Sequence, residues 1–254
     1  MQRYRLSMVM AVGIVLVLAV AILANLGSSQ SRAQADDGAL LQMPDFPPTP
    51  TVPAAPSDNP SLQGASIFSD AFVADGALPA GWQVIDLGQI MPGEESVWRV
   101  AGGRLIQDRT ARASNPASRI TLAVNGDANL SDYTVSAKAF DLANATIGLV
   151  ARAQGQSFYQ FAWYAKDVSE EKKLVLEKVI DGNSTILAIA DGPGYEHRTW
   201  YTLGLQVSGS SIRALIDGKV VLEATDSSLT NGQFGVSTVA FGAVTFDNVV
   251  VTVP

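Results

Sequence analysis

Cysteine is absent from the 254-residue chain, and histidine occurs once, at His197. The lack of cysteine excludes disulfides, thiolate nucleophiles, iron–sulfur clusters and cysteine-ligated zinc sites. A serine–histidine–acid triad would have to use His197, which lies in the segment GYEHRTW without a nucleophile-elbow motif. We therefore interpret His197 as a surface residue without a catalytic role.

Basic residues are scarce as well, because 17 Lys and Arg stand against 24 Asp and Glu and the formal net charge is −7. A nucleic-acid partner requires a basic stripe that contacts the phosphates, and the sequence contains none. We therefore expect no binding to nucleic acid. The acidic residues are interpreted mainly as a solvated surface.

The N-terminal residues 1–35 predict a membrane or export segment. Residues 7–26 are almost wholly apolar, and about twenty helical residues at about 1.5 Å each would span the hydrocarbon core. Arg3 and Arg5 precede this run and place the N-terminus in the cytoplasm. Ala33-Gln34-Ala35 has the form of a signal-peptidase site, so an uncleaved single-pass anchor and a signal peptide cleaved after Ala35 both stay open. Either alternative places the remaining chain outside the cytoplasm.

Residues 36–66 predict a linker, because they contain seven of the twelve prolines. Proline fixes φ and lacks an N–H donor, so such a segment favours extended polyproline geometry and is not expected to join a sheet. About 30 residues at about 3.1 Å each would hold the following domain up to about 90 Å from the bilayer.

Residues 67–254 predict one all-β domain. In residues 199–226, apolar and polar side chains alternate and short turns separate three strands, the last turn being Asp217-Gly218. Asp181-Gly182-Asn183 predicts another hairpin. About fourteen such strands, with no fixed-period repeat and no helical periodicity, favour two packed antiparallel sheets in a sandwich or jelly roll.

A series of short motifs follows in order along the domain, and no single one is specific. They include Phe68-x-Asp70-x-Phe72 with Gly81-Trp82, Gly148-Leu149-Val150-x-Arg152, Trp200-Tyr201-x-Leu203, Gly232-x-Phe234-Gly235 and Phe246-Asp247-Asn248-Val249. In order and spacing they resemble the concanavalin A-like lectin/glucanase superfamily, particularly the LamG-like jelly-roll domains of bacterial exported proteins. The resemblance implies two curved sheets, frequent glycan binding on the concave face, and glycoside hydrolase activity in some members.

Hydrolases of this superfamily carry their acids in a Glu-x-Asp-x-x-Glu strand, and this chain has no such motif. Retaining enzymes need two carboxylates about 5–5.5 Å apart. The acid pairs Glu94-Glu95 and Glu170-Glu171 lie in loop-like segments and are interpreted as solvated turns. We therefore expect a protein that is not an enzyme, with a displaced acid pair as the remaining catalytic alternative.

Three residues are the candidates for carbohydrate binding. In residues 158–164 one set of alternating side chains is strongly aromatic and predicted to be core, which leaves Gln160 and Tyr164 on the opposite face. Arg152 is opposite in phase to Leu149 and Ala151 and is predicted to join them. Planar amide, phenol and guanidinium groups suit hydrogen bonding to sugar hydroxyls together with stacking.

Asp70 and Asp247 are the candidate ligands of a structural calcium ion. They lie in the predicted first and last strands, which are expected to be neighbours. Calcium takes six to eight oxygen ligands, often carboxylates together with loop carbonyls. The alternative is that both carboxylates bind backbone amides at strand ends.

The predicted function is a non-catalytic extracytoplasmic binding module, tethered to the membrane, that recognises a glycan or cell-surface polymer. The first alternative is a structural or accessory subunit of a membrane or envelope protein complex. The second alternative is a glycoside hydrolase with a non-standard acid pair.

Overall fold

The computed structural model describes residues 52–56, 64–111, 120–142, 145–167, 173–240 and 243–254. The predicted N-terminal apolar helix, the signal-peptidase site and most of the proline-rich linker lie outside these ranges. The described residues contain strands and turns and no helix, which confirms the all-β prediction for the domain. Among them, accordingly, no helix is long and apolar enough to cross a membrane.

The described part of the chain contains fifteen β-strands. They are β1 (Ala65–Asp70), β2 (Gln83–Asp86), β3 (Val97–Val100), β4 (Leu105–Arg109), β5 (Thr121–Asn125), β6 (Tyr133–Asp141), β7 (Ala145–Gln154), β8 (Ser157–Tyr164), β9 (Leu174–Ile180), β10 (Asn183–Ala190), β11 (Tyr201–Ser208), β12 (Ser211–Ile216), β13 (Lys219–Thr225), β14 (Gln233–Ala240) and β15 (Val244–Val253). Strand β1 begins at Ala65, so the last two residues of the predicted linker belong to a sheet, after its final proline.

The strands form two sheets in which all the named strand pairs are antiparallel. The first sheet has eight strands in the order β13-β12-β11-β6-β15-β4-β3, with β1 also paired to β15. The second sheet has seven strands in the order β10-β9-β8-β7-β14-β5-β2. The pairing of the first strand with the last confirms their predicted proximity.

The predicted hairpins form where the turn residues favour a left-handed backbone. Asp217 and Gly218 have φ angles of 47° and 78° between β12 and β13. Asp181 and Gly182 have φ angles of 50° and 78° between β9 and β10. Two successive positive φ values match the right-handed twist of the flanking strands, which is why such pairs favour two-residue hairpins.

The main core lies between the sheets. The aromatic side of β8 points into it, as predicted, and meets apolar side chains of β11 from the first sheet. Tyr159, Phe161, Leu203 and Leu205 are all fully buried there. A second apolar cluster, which includes Val150 and Phe158, lies on the outer face of the second sheet, meaning the face turned away from the first sheet.

Candidate functional site

The strand register of the first sheet aligns six polar residues on its outer face, the face turned away from the core. We call this alignment the polar row. It crosses β13, β12, β11, β6, β15 and β1 and consists of Glu223, Arg213, Gln206, Thr134, Thr252 and Ser66. Because neighbouring residues in β11, β6 and β15 point into the core, these positions face outward.

A pocket of about 310 Å³ lies at the middle of the polar row. Gln206, Thr134 and Thr252 line it, together with Ser208 and Gly64 among others. Small-molecule sites start at about 300 Å³, so this volume suits a small ligand or the end of a longer one. We call this cavity the polar pocket.

The polar pocket offers hydrogen bonds and no unpaired charge from its side chains. Thr252 is 3% exposed, and its hydroxyl oxygen has no hydrogen-bond partner in the described structure. An unsatisfied buried hydroxyl costs about 1–3 kcal/mol, a cost that a ligand hydroxyl would remove once the Thr252 side chain rotates its oxygen toward the pocket. The charged neighbours in the row, Arg213 and Glu223, bind each other at 2.8 Å. Neutral hydroxyl groups therefore match this lining better than an ionised ligand.

The structure places Arg152 inside the domain rather than on a sugar-facing surface. Its φ angle is 52°, at an irregularity in the pairing of β7, and this left-handed residue breaks the alternation on which the sequence argument relied. Its guanidinium donates to the backbone carbonyls of Ser131, Gly209 and Leu229 at 2.8–2.9 Å and to Asp132 at 3.2 Å. With 1% of its area exposed, Arg152 holds loops together and offers no surface to a ligand.

Gln160 and Tyr164 share the outer face of the second sheet. Gln160 is 1% exposed, and its side-chain amide donates to the Ser237 hydroxyl at 2.9 Å. Tyr164 is half-buried. Glu177 lies opposite Gln160 in the register, and burial raises the pKa of its carboxyl while a hydrogen bond from Ser184 opposes that rise. Gln160 is therefore enclosed, and Tyr164 is the accessible candidate for carbohydrate binding on this face.

Asp70 and Asp247 bind backbone and indole N–H groups. The Asp70 carboxylate accepts from the Phe72 backbone and from the Trp82 indole, each at 2.8 Å. Asp247 accepts from the next residue, Asn248, at 2.7 Å, and burial raises its pKa. No three His, Asp or Glu side chains converge to hold a metal within the described ranges. The geometry supports the alternative, in which both carboxylates bind N–H groups, Asp70 at the end of β1 and Asp247 at an irregularity inside β15.

His197 is a bridging residue, which corrects its interpretation as an ordinary surface histidine. Its Nδ1 lies 3.0 Å from Asp141 and its Nε2 lies 2.7 Å from Asp167, and Asp141 also accepts a hydrogen bond from Tyr195. Partial burial lowers the pKa of His197, but the hydrogen bond to Asp167 and the two carboxylate charges outweigh this and raise it. Because both ring nitrogens contact carboxylates, neither is placed to activate a nucleophile.

Comparison with known families identifies the group to which the domain belongs. Residues 113–253, more than half of the chain, match the family described as "Galactocerebrosidase, C-terminal lectin domain". The chain belongs to this lectin-domain family. A comparison with curated protein sequences finds no match.

Solved structures share the sandwich of this lectin domain. The carbohydrate-binding module CBM66 from Bacillus subtilis is 19% identical, covers 66% of this chain and 93% of its own, and superposes with a TM-score of 0.52. A Bacillus subtilis protein of unknown function with a galectin-like fold is 12% identical, covers 75% and 97%, and has a TM-score of 0.52. The Bacillus licheniformis β-glucanase is 13% identical, covers 76% and 100%, and has a TM-score of 0.51. These similarities show the concanavalin A-like and galectin-like fold, as the sequence resemblance implied.

The polar pocket of the lectin domain was not predicted from sequence. The alternation in β11 marks Gln206 as outward-facing, but it does not show which residues of β6 and β15 lie beside it. Those neighbours, Thr134 and Thr252, are distant in sequence and are set by strand register alone.

Proposed function

We propose that this protein is a non-catalytic glycan-binding module and that the polar pocket is its binding site. The observation that carries the proposal is the convergence of Gln206, Thr134 and the unpartnered Thr252 hydroxyl in one small cavity. Membership in a lectin-domain family supports a glycan as the ligand. A glycan presents hydroxyl groups that both donate and accept, as do the amide and hydroxyls of this pocket.

The distribution of acids supports binding rather than hydrolysis. Glycoside hydrolases use two carboxyl groups, about 5–5.5 Å or about 6.5–9.5 Å apart. None of the residues that line the polar pocket is Asp or Glu. On the outer face of the second sheet, Glu177 is the one acid among the described strand residues. The fold itself does not separate the two activities, because the similar structures include both a carbohydrate-binding module and a β-glucanase.

We further propose that the module acts outside the cytoplasm, held at the membrane by its N-terminal residues. The support is the apolar run at residues 7–26 with arginines before it and the proline-rich linker after it. In this arrangement the lectin domain would bring a glycan or cell-surface polymer to the membrane surface. Labelling of intact cells with a membrane-impermeant reagent would test it, and labelling only after lysis would contradict it.

The first experiment measures glycan binding by the full-length protein in mild detergent, on a glycan array and then by calorimetry. Thr252→Val and Gln206→Ala each remove one hydrogen-bonding group, which we expect to weaken binding roughly tenfold, corresponding to about 1.4 kcal/mol. Thr225→Val and Gln156→Ala are matched controls, because both residues are exposed and neither lines the pocket. The controls should bind as the wild-type protein does.

Three other results would redirect the proposal. Binding that survives both pocket variants but is lost in Tyr164→Ala would move the site to the outer face of the second sheet. A blank array, together with a membrane protein that co-purifies in stoichiometric amount, would favour the accessory-subunit alternative. Glycan turnover abolished by one acid-to-amide substitution would establish the hydrolase instead.

A further inference from the structure

Trp200 stands at the opposite end of the outer face of the first sheet from the polar pocket. Its ring packs on Phe140, with centroids 5.1 Å apart, and the Arg104 guanidinium lies 6.0 Å from its centroid. Trp82, Trp98 and Trp163, by contrast, are buried in the core. Trp200 is only half-buried, so it presents an aromatic surface with one indole N–H donor. We call Trp200, Phe140 and Arg104 together the Trp200 platform.

The Trp200 platform already has an occupant from the same chain. The indole N–H of Trp200 donates to the backbone carbonyl of Pro53 at 3.0 Å, across 147 positions of sequence. Pro53 lies in the described segment 52–56, whose sequence is VPAAP. An aromatic ring that donates a hydrogen bond to the carbonyl of a proline-rich segment is the geometry by which polyproline II ligands are recognised.

We propose that the Trp200 platform is a docking site for a proline-rich segment and that residues 52–56 of the same chain occupy it. Proline restricts the free segment to extended conformations, so docking costs little conformational entropy. The consequence is a shorter tether than the sequence predicts. With Pro53 held on the domain, residues 36–52 are the part left to span, at most about 50 Å at about 3.1 Å per residue.

This docking site is independent of the proposed glycan site. Trp200 and Gln206 are separated by six positions of an extended chain, which is roughly 20 Å at about 3.3 Å per residue. A substitution at Trp200 therefore leaves the polar pocket in place, and loss of glycan binding says nothing about the linker. The two proposals can fail separately.

The absence of cysteine makes a direct test simple. Ala54→Cys introduces the chain's one thiol, at an exposed position beside Pro53, which can carry a bimane fluorophore that tryptophan quenches on contact. In the full-length protein we expect the label to be dim and to brighten in Trp200→Phe, which keeps an aromatic ring but removes the quencher. A label at Val73→Cys, where the wild-type side chain is 88% exposed, is the control and should have the same brightness in both backgrounds.

Two further measurements test whether binding of the segment to the Trp200 platform depends on its proline residues. Pro53→Gly, with Trp200 intact, should brighten the Ala54→Cys label because the free segment then has more conformations to lose. A synthetic peptide of residues 49–58 should also brighten it at millimolar concentration, the range of effective concentrations for tethered segments. We expect a docked-to-free ratio of about ten to one, equivalent to about 1.4 kcal/mol.

The proposal is overturned if the label at Ala54→Cys has the same fluorescence in the protein that keeps Trp200 and in the Trp200→Phe variant. The segment then does not contact the ring. It is also overturned as a proline-specific site if neither Pro53→Gly nor the peptide changes the brightness. Circular dichroism on each variant confirms that the sandwich is folded before the comparison is made.

Discussion

Replacing Arg152 with alanine tests the central packing argument of this fold. The guanidinium links three backbone carbonyls from separate loops, at Ser131, Gly209 and Leu229, and also pairs with Asp132. Removing it leaves those acceptors without their donor and opens a cavity in a fully buried position. A hydrogen bond to a charged group contributes about 1.5–3 kcal/mol, so the loss of the guanidinium bonds to these carbonyls should cost roughly 3–5 kcal/mol.

That loss is a large share of the roughly 5–15 kcal/mol by which a domain is stable. We expect Arg152→Ala to lower the free energy of unfolding by about 3–5 kcal/mol and the thermal midpoint by about 10 °C. Urea denaturation followed by tryptophan fluorescence measures this change. The free energy of unfolding of Arg152→Lys should lie between those of the wild-type protein and Arg152→Ala, because a lysine ammonium keeps the charge but cannot reproduce the planar fork of donors.

The matched control is Arg213→Ala, whose salt bridge with Glu223 is 48% and 59% exposed. Exposed ion pairs contribute about 0–1 kcal/mol, so this variant should be close to wild type. If Arg152→Ala costs no more than Arg213→Ala, the structural role assigned to Arg152 is wrong. Undiminished glycan affinity in folded Arg152→Ala would further separate this residue from ligand binding.

Three other substitutions or conditions have definite expected outcomes. Because the pKa of His197 is raised in the folded protein, its stabilising effect is complete below the unfolded value of about 6.5 and is lost as pH rises through the folded pKa. The thermal midpoint should therefore fall as the pH rises above about 6.5, and His197→Gln should remove that dependence. Gly148→Ala should destabilise the domain by about 1–3 kcal/mol in urea, since a Cβ there would lie 2.5 Å from the Ser237 hydroxyl. Calcium and chelator should leave the thermal midpoint unchanged, because Asp70 and Asp247 bind N–H groups.

Each of these predictions has its own control. The chain has one histidine and no cysteine, so a pH slope near neutrality that persists in His197→Gln would contradict the bridge. For Gly148→Ala, the double variant with Ser237→Ala should recover only part of the loss, because a carbonyl of β8 lies 2.6 Å from the same Cβ position. A midpoint that rises with calcium would revive the metal site.

The strands and turns were predictable because their signals are local. The period of two in β8 and β11 follows from how side chains project from a strand, and the Asp-Gly turns follow from the φ angles that hairpins require. The first and last strands were also predicted to be neighbours, and β1 pairs with β15. The family resemblance supplied the rest of the architecture, since short motifs in a fixed order restrict the fold more than any one of them does.

The candidate site was less predictable because it depends on backbone irregularities and distant partners. Arg152 was assigned to the wrong side of its strand, since one residue with positive φ reverses the alternation locally. His197 was interpreted without its two carboxylates because Asp141 and Asp167 are 56 and 30 positions away. Pro53 was expected in a free spacer, and its contact with Trp200 spans most of the chain.

The sequence by itself determined the all-β domain, its hairpin turns, the aromatic side of β8 that fills the core, and the absence of any cysteine chemistry. Each of these depends on residues within a few positions of one another. The tertiary structure alone decided which polar side chains share the polar pocket, because Gln206, Thr134 and Thr252 come from three strands whose neighbours are set by register. Side-chain direction is a local property of a strand, whereas the identity of the residue beside it is not.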